Sequence, residues 1–246
     1  MHRRVGRTRG ERVDKVSGVT PEAELVSGYQ AVLFDMDGVT VETAAAWRRL
    51  EQTEILPAAT ESGAPADAIR ALSVEDAYTR LVAMEGVDLT VDAQAFETLY
   101  AEHAAEVYRE QACLMDGYRG LLERLRADGV ALGLVSASRR AWVEMVLDRF
   151  DLRGAYDVVV SSTDIDGPAK PDPGIYRAAA ERLDSSPGRC LAVEDSTHGV
   201  AAATGAGVTC LALRGDGNTD SDLSAASDVV DSPGELRAEL FALTGA

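Results

Sequence analysis

Two aspartates separated by a single residue stand at the end of a short apolar run. Asp35 and Asp37 follow the run Ala31–Phe34, and Gly38 comes directly after them. Side chains two residues apart in an extended segment share a face, so both carboxylates can project toward one site while Met36 points away. Gly38 lets the chain turn sharply at that point. Two carboxylates this close repel each other unless cations lie among them. The pair therefore predicts a reactive site.

Other reactive groups also follow apolar runs, at points far apart in the sequence. Ser136 follows "ALGLV", and the pair Glu194 and Asp195 follows "LAV". Lys170 lies in "GPAKPDP", after Val158–Val160 and just before a helical pattern. Each of these residues alone is typical of an ordinary polar loop. Ligands bind beyond the carboxyl ends of the strands in an open parallel sheet, so we expect the groups to meet at one edge.

The combination predicts phosphoryl transfer. Three converging carboxylates, those of Asp35, Asp37 and Asp195, call for a metal ion, and Mg²⁺ suits them because it binds oxygen ligands from few carboxylates. Lys170 adds a positive charge, and its presence in a chain with only two lysines and 22 arginines indicates a specific use for an ammonium. Cations neutralise a phosphate so that one aspartate can attack it, while its neighbour serves as general acid and then base.

The pattern around these residues predicts a parallel sheet covered by helices. Apolar runs without alternation indicate strands buried on both faces. The runs are Ala31–Phe34, Val130–Val135, Val158–Val160, Leu191–Val193 and Val208–Leu213. Helical patterns lie between or after them, at Tyr118–Ala127, Ala141–Phe150, Ile175–Leu183, Val200–Thr204 and Gly234–Leu243. The alternation predicts an α/β fold with a doubly wound, Rossmann-like parallel sheet.

The stretch 44–112 differs from the rest because it contains no strand-like run. It is rich in Ala, Glu, Leu and Arg at helical spacing, with breaks near Pro57, Gly63–Pro65 and Gly86–Val91. We call it the helical insertion and expect it to form an all-helical cap domain. The α/β core domain then comprises residues 28–43 and 113–246. Residues 1–27 are polar and arginine-rich, which predicts a flexible N-terminal tail.

The charge balance limits the partners. The net charge is −17 and the isoelectric point is near 4.5, which disfavours nucleic acids and anionic membranes. Two explanations of the acidity stay open: a halophilic, high-salt cytoplasm or a GC-rich coding bias toward arginine. We expect a cytoplasmic protein, because no apolar run is long enough to cross a bilayer. The three cysteines (Cys113, Cys190, Cys210) lack CxxC spacing and are expected to be buried free thiols.

Four short motifs resemble those of the haloacid dehalogenase (HAD)-like hydrolase superfamily. They occur in the family's order, as "FDMDGVTVET", "LVSAS", "KPDP" and "VEDSTHG". The resemblance covers about residues 30–235 and points to the branch with a helical cap inserted after the first strand. The phosphoglycolate phosphatases and the beta-phosphoglucomutases belong to this branch.

The resemblance implies a role for each site residue. Asp35 would be the nucleophile and a Mg²⁺ ligand, and Asp37 would be the acid/base that binds the metal through its backbone carbonyl. Ser136 and Lys170 would hold the phosphoryl oxygens, together with the amide of Ala137. Asp195 would bind Mg²⁺, and Glu194 would be either a further ligand or a supporting partner.

Departures from related patterns narrow the activity. Dehalogenases of the superfamily lack the second aspartate, so Asp37 favours phosphate chemistry. Phosphonoacetaldehyde hydrolases need a lysine in the cap, and the helical insertion has none. Beta-phosphoglucomutases usually carry a histidine and an arginine at the apparent equivalents of Trp47 and Val74, which disfavours a mutase.

The resulting prediction is a Mg²⁺-dependent phosphatase. It would hydrolyse a small organic phosphate monoester, such as phosphoglycolate or a sugar phosphate, through an aspartyl-phosphate. A sugar phosphomutase is the first alternative. A phospho-accepting signalling receiver and a non-catalytic binding relative are alternatives of another class. The expected partner is a small phosphorylated metabolite, with the protein a monomer or a homodimer.

The helical insertion holds further candidates for substrate contact. Trp47, Arg48, Arg49 and Arg70 could face the substrate. For the arginines a solvated helix face is the default expectation. Trp47 could equally be part of the insertion's own core.

Overall fold

Six parallel strands form the central sheet of the structure, a computed structural model that describes residues 28–61, 63–69 and 72–245. The strands are β1 Ala31–Phe34, β4 Ala131–Ser136, β5 Val158–Ser161, β6 Cys190–Glu194, β7 Thr209–Leu213 and β8 Asp228–Val230. Their spatial order is β5-β4-β1-β6-β7-β8. The chain builds the sheet outward on one side of β1 and then returns to build the other side. This reversal beside β1 creates the crevice in which such sheets bind ligands.

Helices cover both faces of the sheet. They are α5 Tyr118–Ala127, α6 Arg140–Arg149, α7 Gly174–Arg182, α8 Thr197–Gly205 and α9 Pro233–Thr244. Alternation along β1 shows why both faces are apolar: Val32 and Phe34 join one core cluster, and Ala31 and Leu33 join the other. The predicted α/β class with a doubly wound parallel sheet is confirmed. Strand β8 is a difference from the prediction, because its three residues are too few to stand out as an apolar run.

The helical insertion lies between two short antiparallel strands, β2 Val41–Glu42 and β3 Cys113–Leu114. It contains α1 Ala44–Leu50, α2 Leu56–Ala59, α3 Val74–Val82 and α4 Ala93–Glu106. The β2–β3 pairing places the two connections to the sheet side by side. The division of the chain into core and cap at residues 43/44 and 112/113 stays a prediction. The predicted tail, residues 1–27, lies outside the described residues.

The predicted break near Pro57 lies just after the proline, because the helix ends at Ala59. The chain stays helical from α1 into α2 through a π-helical turn, Glu51–Ile55, that ends just before the proline. The amide of Leu56 there bonds to the carbonyl of Glu51, five residues back. A wider turn of this kind accommodates a residue that has no amide hydrogen and crowds the preceding turn.

The cysteines and the helix lengths can be compared with the predictions of buried thiols and of no membrane span. Cys190 and Cys210 are buried free thiols as expected, but Cys113 is exposed because it lies in the short β2–β3 ladder, outside the core. Among the described residues, no helix has the length and apolar character that a membrane span requires.

Candidate active site

The ends of three adjacent strands place the candidate residues together. Phe34, the last residue of β1, lies beside Leu134 of β4 and Val193 of β6. The residues that follow each of these positions therefore emerge at one edge of the sheet. Asp35 is fixed there by its amide, which donates to the carbonyl of Val193 at 3.0 Å. The structure thus brings the acid pair after β1 next to the ends of β4 and β6.

Lys170 links these strand ends. Its Nζ lies 2.6 Å from Oδ1 of Asp35, 2.6 Å from Oε1 of Glu194 and 3.0 Å from the carbonyl of Val135. The side chain is buried. Burial alone would lower the pKa of Lys170, but the carboxylates of Asp35 and Glu194 outweigh it and raise the pKa above its ordinary value. The ammonium therefore stays charged inside the protein.

Hydrogen bonds fix the carboxylate of Glu194 beside Lys170. It is fully buried, and its Oε1 also accepts a hydrogen bond of 2.5 Å from the hydroxyl of Tyr176. Its Oε2 accepts from the amide of Asp195 at 3.3 Å. A carboxylate with these partners is well suited to orient Lys170.

Three carboxylates form a cluster that could hold a metal ion. Asp35, Glu194 and Asp195 each offer an oxygen, and these oxygens lie within 4.8 Å of one another. Burial raises the pKa of Asp35 to about 7; Lys170 opposes this rise, and Glu194 adds to it. Burial and the charge of Asp35 also raise the pKa of Asp195. One lysine does not balance three clustered carboxylates, two of them buried, so the donor set fits a hard divalent cation such as Mg²⁺.

Two glycines make the close packing possible. Gly38 has a φ of +86°, and a Cβ at this position would lie 1.9 Å from Oδ2 of Asp195. Gly199, in the first turn of α8, would place a Cβ 1.8 Å from Oε2 of Glu194. Either methyl group would displace a carboxylate of the cluster.

Asp37 is held apart from this cluster by three hydroxyl groups. Thr43 donates to Oδ1 at 2.7 Å, while Ser138 and Tyr108 donate to Oδ2 at 2.9 Å and 3.3 Å. Burial raises the pKa of Asp37 above its ordinary value, and the three hydrogen bonds oppose part of that rise. Two aspartates two residues apart therefore have different surroundings, as an acid/base and a nucleophile require.

A cavity of about 310 Å³ opens over these groups, between the sheet edge and the helical insertion. Five of the residues predicted for the site line it: Asp35, Asp37, Ala137, Lys170 and Asp195. Two other predicted residues, Ser136 and Glu194, are buried beside it and do not line it. The hydroxyl of Ser136 accepts the amide of Ser138 at 3.0 Å and so supports the loop.

Of the four residues predicted to contact substrate from the helical insertion, two line the cavity. Trp47 and Arg48 line the cavity. Arg49 is exposed and pairs with Glu106 at 2.5 Å, as expected for a solvated helix face. Arg70 lies outside the described residues.

Sequence reasoning missed several residues of the site, among them Thr43, Tyr108, Ser138 and Asn218. Thr43 and Ser138 lie within the quoted motifs "FDMDGVTVET" and "LVSAS", so their hydroxyl groups were a readable signal. Asn218 donates to the carbonyls of Asp195 and Leu213 at 2.6 Å and 2.8 Å, and thereby fixes the loop after β6. Neither Asn218 nor Tyr108 has a local pattern that reveals its position.

Comparisons with known proteins point to one family. Residues 29–207 match the family model described as haloacid dehalogenase-like hydrolase. A beta-phosphoglucomutase of Bacillus subtilis is 27% identical over 195 residues, which span 75% of this chain and 83% of the relative. A phosphorylated carbohydrates phosphatase of Thermotoga maritima is 29% identical over 183 residues, or 73% of this chain and 82% of the relative. The crystal structure of CbbY from Rhodobacter sphaeroides in complex with phosphate superposes with a TM-score of 0.73. It is 24% identical and covers 89% of this chain and all of that one, which supports the shared fold.

Proposed function

The chain belongs to the haloacid dehalogenase-like hydrolases, and from that premise we propose that it hydrolyses a small phosphate monoester through a phosphorylated Asp35. The substrate class is a phosphorylated sugar or a similar small metabolite. The phosphatase from Thermotoga maritima, named for phosphorylated carbohydrates, supports this class.

One observation carries the proposal. Lys170 bridges Asp35 and Glu194 at 2.6 Å each, at the edge of the sheet where the cavity opens, while Asp37 has a separate set of partners. A buried ammonium next to the nucleophile supplies the positive charge that lets a carboxylate approach an anionic phosphate.

The metal site belongs to the same proposal. Asp35 and Asp195, whose carboxylates belong to the cluster described above, would hold Mg²⁺. The backbone carbonyl of Asp37 would be a further ligand, and Glu194 would be either a ligand or a partner that supports Lys170. Bound Mg²⁺ would neutralise phosphate charge and orient the substrate.

In the first half-reaction, Asp35 attacks the phosphorus atom. Lys170 engages Oδ1, which leaves Oδ2 for the attack. The bond between phosphorus and the ester oxygen breaks, and protonated Asp37 gives its proton to the leaving alcohol. The products are a free alcohol and an acyl phosphate on Asp35. The raised pKa of Asp37 suits the general acid of this step.

In the second half-reaction, water replaces the alcohol. Asp37, now a carboxylate, removes a proton from a water molecule that attacks the phosphorus of phospho-Asp35. The phosphorus–Oδ bond breaks, which releases inorganic phosphate and restores both aspartates. The helical insertion forms one wall of the cavity and, as a cap, would exclude bulk water during the transfer.

A phosphomutase is the second candidate, because a beta-phosphoglucomutase is among the relatives. A mutase returns the phosphoryl group to a sugar instead of water. Trp47 and Val74, at the apparent positions of the mutase histidine and arginine, are both residues of the cavity wall and offer neither side chain. Incubation with a hexose 1-phosphate separates the activities: free phosphate supports the hydrolase, and an isomeric hexose phosphate supports the mutase.

The proposed function is tested with p-nitrophenyl phosphate and Mg²⁺. We expect turnover by the wild type and by Asp88→Asn, a control at an exposed position in the insertion, and none by Asp35→Asn. Turnover by Asp35→Asn would refute the mechanism. Stable phosphorylation of the protein without release of phosphate would instead favour a receiver.

A further inference from the structure

One part of the cavity wall is aromatic. Four ring side chains line it: Trp47, Tyr100, Tyr108 and Trp142. Trp47 is central, with ring centroids 5.4 Å from Tyr100, 5.8 Å from Tyr108 and 5.8 Å from Trp142. The indole nitrogen of Trp47 donates to the hydroxyl of Tyr108 at 3.3 Å, and this hydroxyl contacts Asp37. The aromatic wall therefore adjoins the place where the leaving group departs.

A carboxylate lies beside this wall. Glu51, in the π-helical turn after α1, lines the cavity, and its Oε1 accepts a hydrogen bond of 2.9 Å from Tyr100. Its Oε2 accepts no hydrogen bond from the described residues. Burial raises the pKa of Glu51 to about 7, and neither the Tyr100 hydrogen bond nor the charge of Arg48 offsets this rise. A desolvated carboxylate of this kind lacks a sufficient counter-ion.

The charges around the cavity disfavour a second anion on the substrate. In the described part of the insertion, Arg48 is the one basic residue of the lining, and it lies close enough to Glu51 to lower its pKa. Arg139, from the core, is paired with Glu97 of α4. Lys170 is bound to Asp35 and Glu194. Glu75 adds a further carboxylate to the lining.

Resting on the proposed function, we propose that the leaving group of the preferred substrate carries a protonated amine, which lies between the aromatic wall and Glu51. The substrate class is then an amino sugar or amino alcohol monophosphate. The faces of aromatic rings attract cations, and an ammonium also donates to a carboxylate oxygen that lacks a donor.

Hydroxyl groups of a neutral sugar are the competing ligand for the same carboxylate. The hydroxyl groups could donate to Glu51 while the sugar ring stacks on Trp47. They would leave the negative charge of Glu51 without a counter-ion. An ammonium supplies the hydrogen bonds and the charge together, so it should bind more tightly where the carboxylate is desolvated.

The test compares substrates that differ only in amine against hydroxyl. With Mg²⁺ at neutral pH, kcat/KM is measured for 2-aminoethyl phosphate against 2-hydroxyethyl phosphate, and for glucosamine 6-phosphate against glucose 6-phosphate. We expect the amine to be favoured about tenfold in each pair. Glucose 1,6-bisphosphate should be a poorer substrate than glucose 6-phosphate. Equal rates within a pair, or a preference for the hydroxyl or the bisphosphate, would overturn the inference and leave the proposed function standing.

Variants locate the source of the preference. Glu51→Gln should bring the amine-to-hydroxyl ratio to about one, whereas Glu54→Gln, at an exposed position in the same turn, should keep the wild-type ratio. An unchanged ratio in Glu51→Gln would contradict the assignment to Glu51. The wild-type comparison needs no variant, so a folding defect would not remove the test. If no ester is hydrolysed, p-nitrophenyl phosphate included, the proposed function fails and the inference fails with it.

Discussion

The hydroxyl of Tyr108 lies 3.3 Å from Oδ2 of Asp37 and thereby joins the end of the helical insertion to the proposed general acid. Tyr108 belongs to a π-helical turn, Val107–Gln111, that follows α4. Ser138, from the loop after β4, donates to the same oxygen at 2.9 Å. The position of Asp37 thus depends on both the core and the insertion.

Removing the Tyr108 hydroxyl should therefore change the acid–base step. The hydrogen bonds to Asp37 lower its pKa, so Tyr108→Phe should raise this pKa further. The basic limb of the pH profile of kcat/KM, which reports protonated Asp37, should move to higher pH. We expect kcat at the optimum to fall by about 3- to 10-fold, with little change in KM.

Tyr78→Phe is the matched control. Tyr78 also lies in the insertion, but its hydroxyl donates to the carbonyl of Val91 at 3.4 Å, away from Asp37. An identical pH profile in Tyr108→Phe and the wild type would show that the hydroxyl does not position Asp37.

Replacing Lys170 should cost stability as well as activity. Lys170→Met leaves the buried carboxylates of Asp35 and Glu194 without their cation. The free energy of unfolding, measured in urea without metal, should fall by about 3–5 kcal/mol, and turnover should be lost. The double variant with Glu194→Gln should recover part of that stability but no activity. A double variant no more stable than Lys170→Met would contradict this account of the ion pair.

Glycine at position 199 should be required by its contact with Glu194. The Cβ of Gly199→Ala would meet Oε2 of Glu194, whose other oxygen is fixed by Lys170 and Tyr176. We expect a loss of about 1–3 kcal/mol in stability, together with reduced turnover. Gly120→Ala is the control, because Gly120 is exposed in α5 and its Cβ would meet nothing. We expect Gly120→Ala to be stabilised by about 0.5–1 kcal/mol. Similar changes in stability in Gly120→Ala and Gly199→Ala would show that the close approach of position 199 to Glu194 is unimportant.

Magnesium should stabilise the protein in a pH-dependent way. The pKa of Asp35 is raised to about 7, so the folded metal-free protein binds a proton that the unfolded chain releases near its ordinary value of 3.8. Its contribution to stability therefore falls as the pH rises from about 4 to 7. Since Mg²⁺ competes with protons for these oxygens, the gain in melting temperature on adding Mg²⁺ should grow over the same range.

At pH 8 and saturating Mg²⁺ this gain should reach about 5 °C. Asp195→Asn should reduce it and Asp88→Asn should not. A gain that is the same at pH 5 and pH 8 would contradict binding to these carboxylates.

The sheet could be predicted because its strands are buried on both faces. Apolar runs such as Leu191–Val193 carry that burial in their composition, and the helices around them begin or end within a few residues of the predicted bounds. Strand β8 could not be predicted, since it depends on packing. The continuation of the helix past Pro57 could not be predicted either, since it depends on a π-helical turn. The order of the strands likewise comes from tertiary contacts.

The site was predictable where chemistry follows a strand directly. Asp35, Lys170 and Asp195 were named from their positions, and the structure places them on one cavity, while their catalytic roles stay predictions. Tyr108 and Glu51 could not be named in advance. Each lies on a helical surface pattern that looks the same whether the side chain faces solvent or a cavity.

The most direct test of the account is to locate the phosphoryl group on the enzyme. Wild type and Asp37→Asn are mixed with Mg²⁺ and p-nitrophenyl phosphate, whose leaving group departs without a proton from Asp37, and are quenched in acid. The acyl phosphate is then reduced with borohydride, and the modified residue is identified by mass spectrometry. We predict homoserine at position 35, in larger amount in Asp37→Asn because the water that attacks phospho-Asp35 loses its base. Modification at another residue, or steady turnover with no phosphorylated protein, would contradict a mechanism through Asp35.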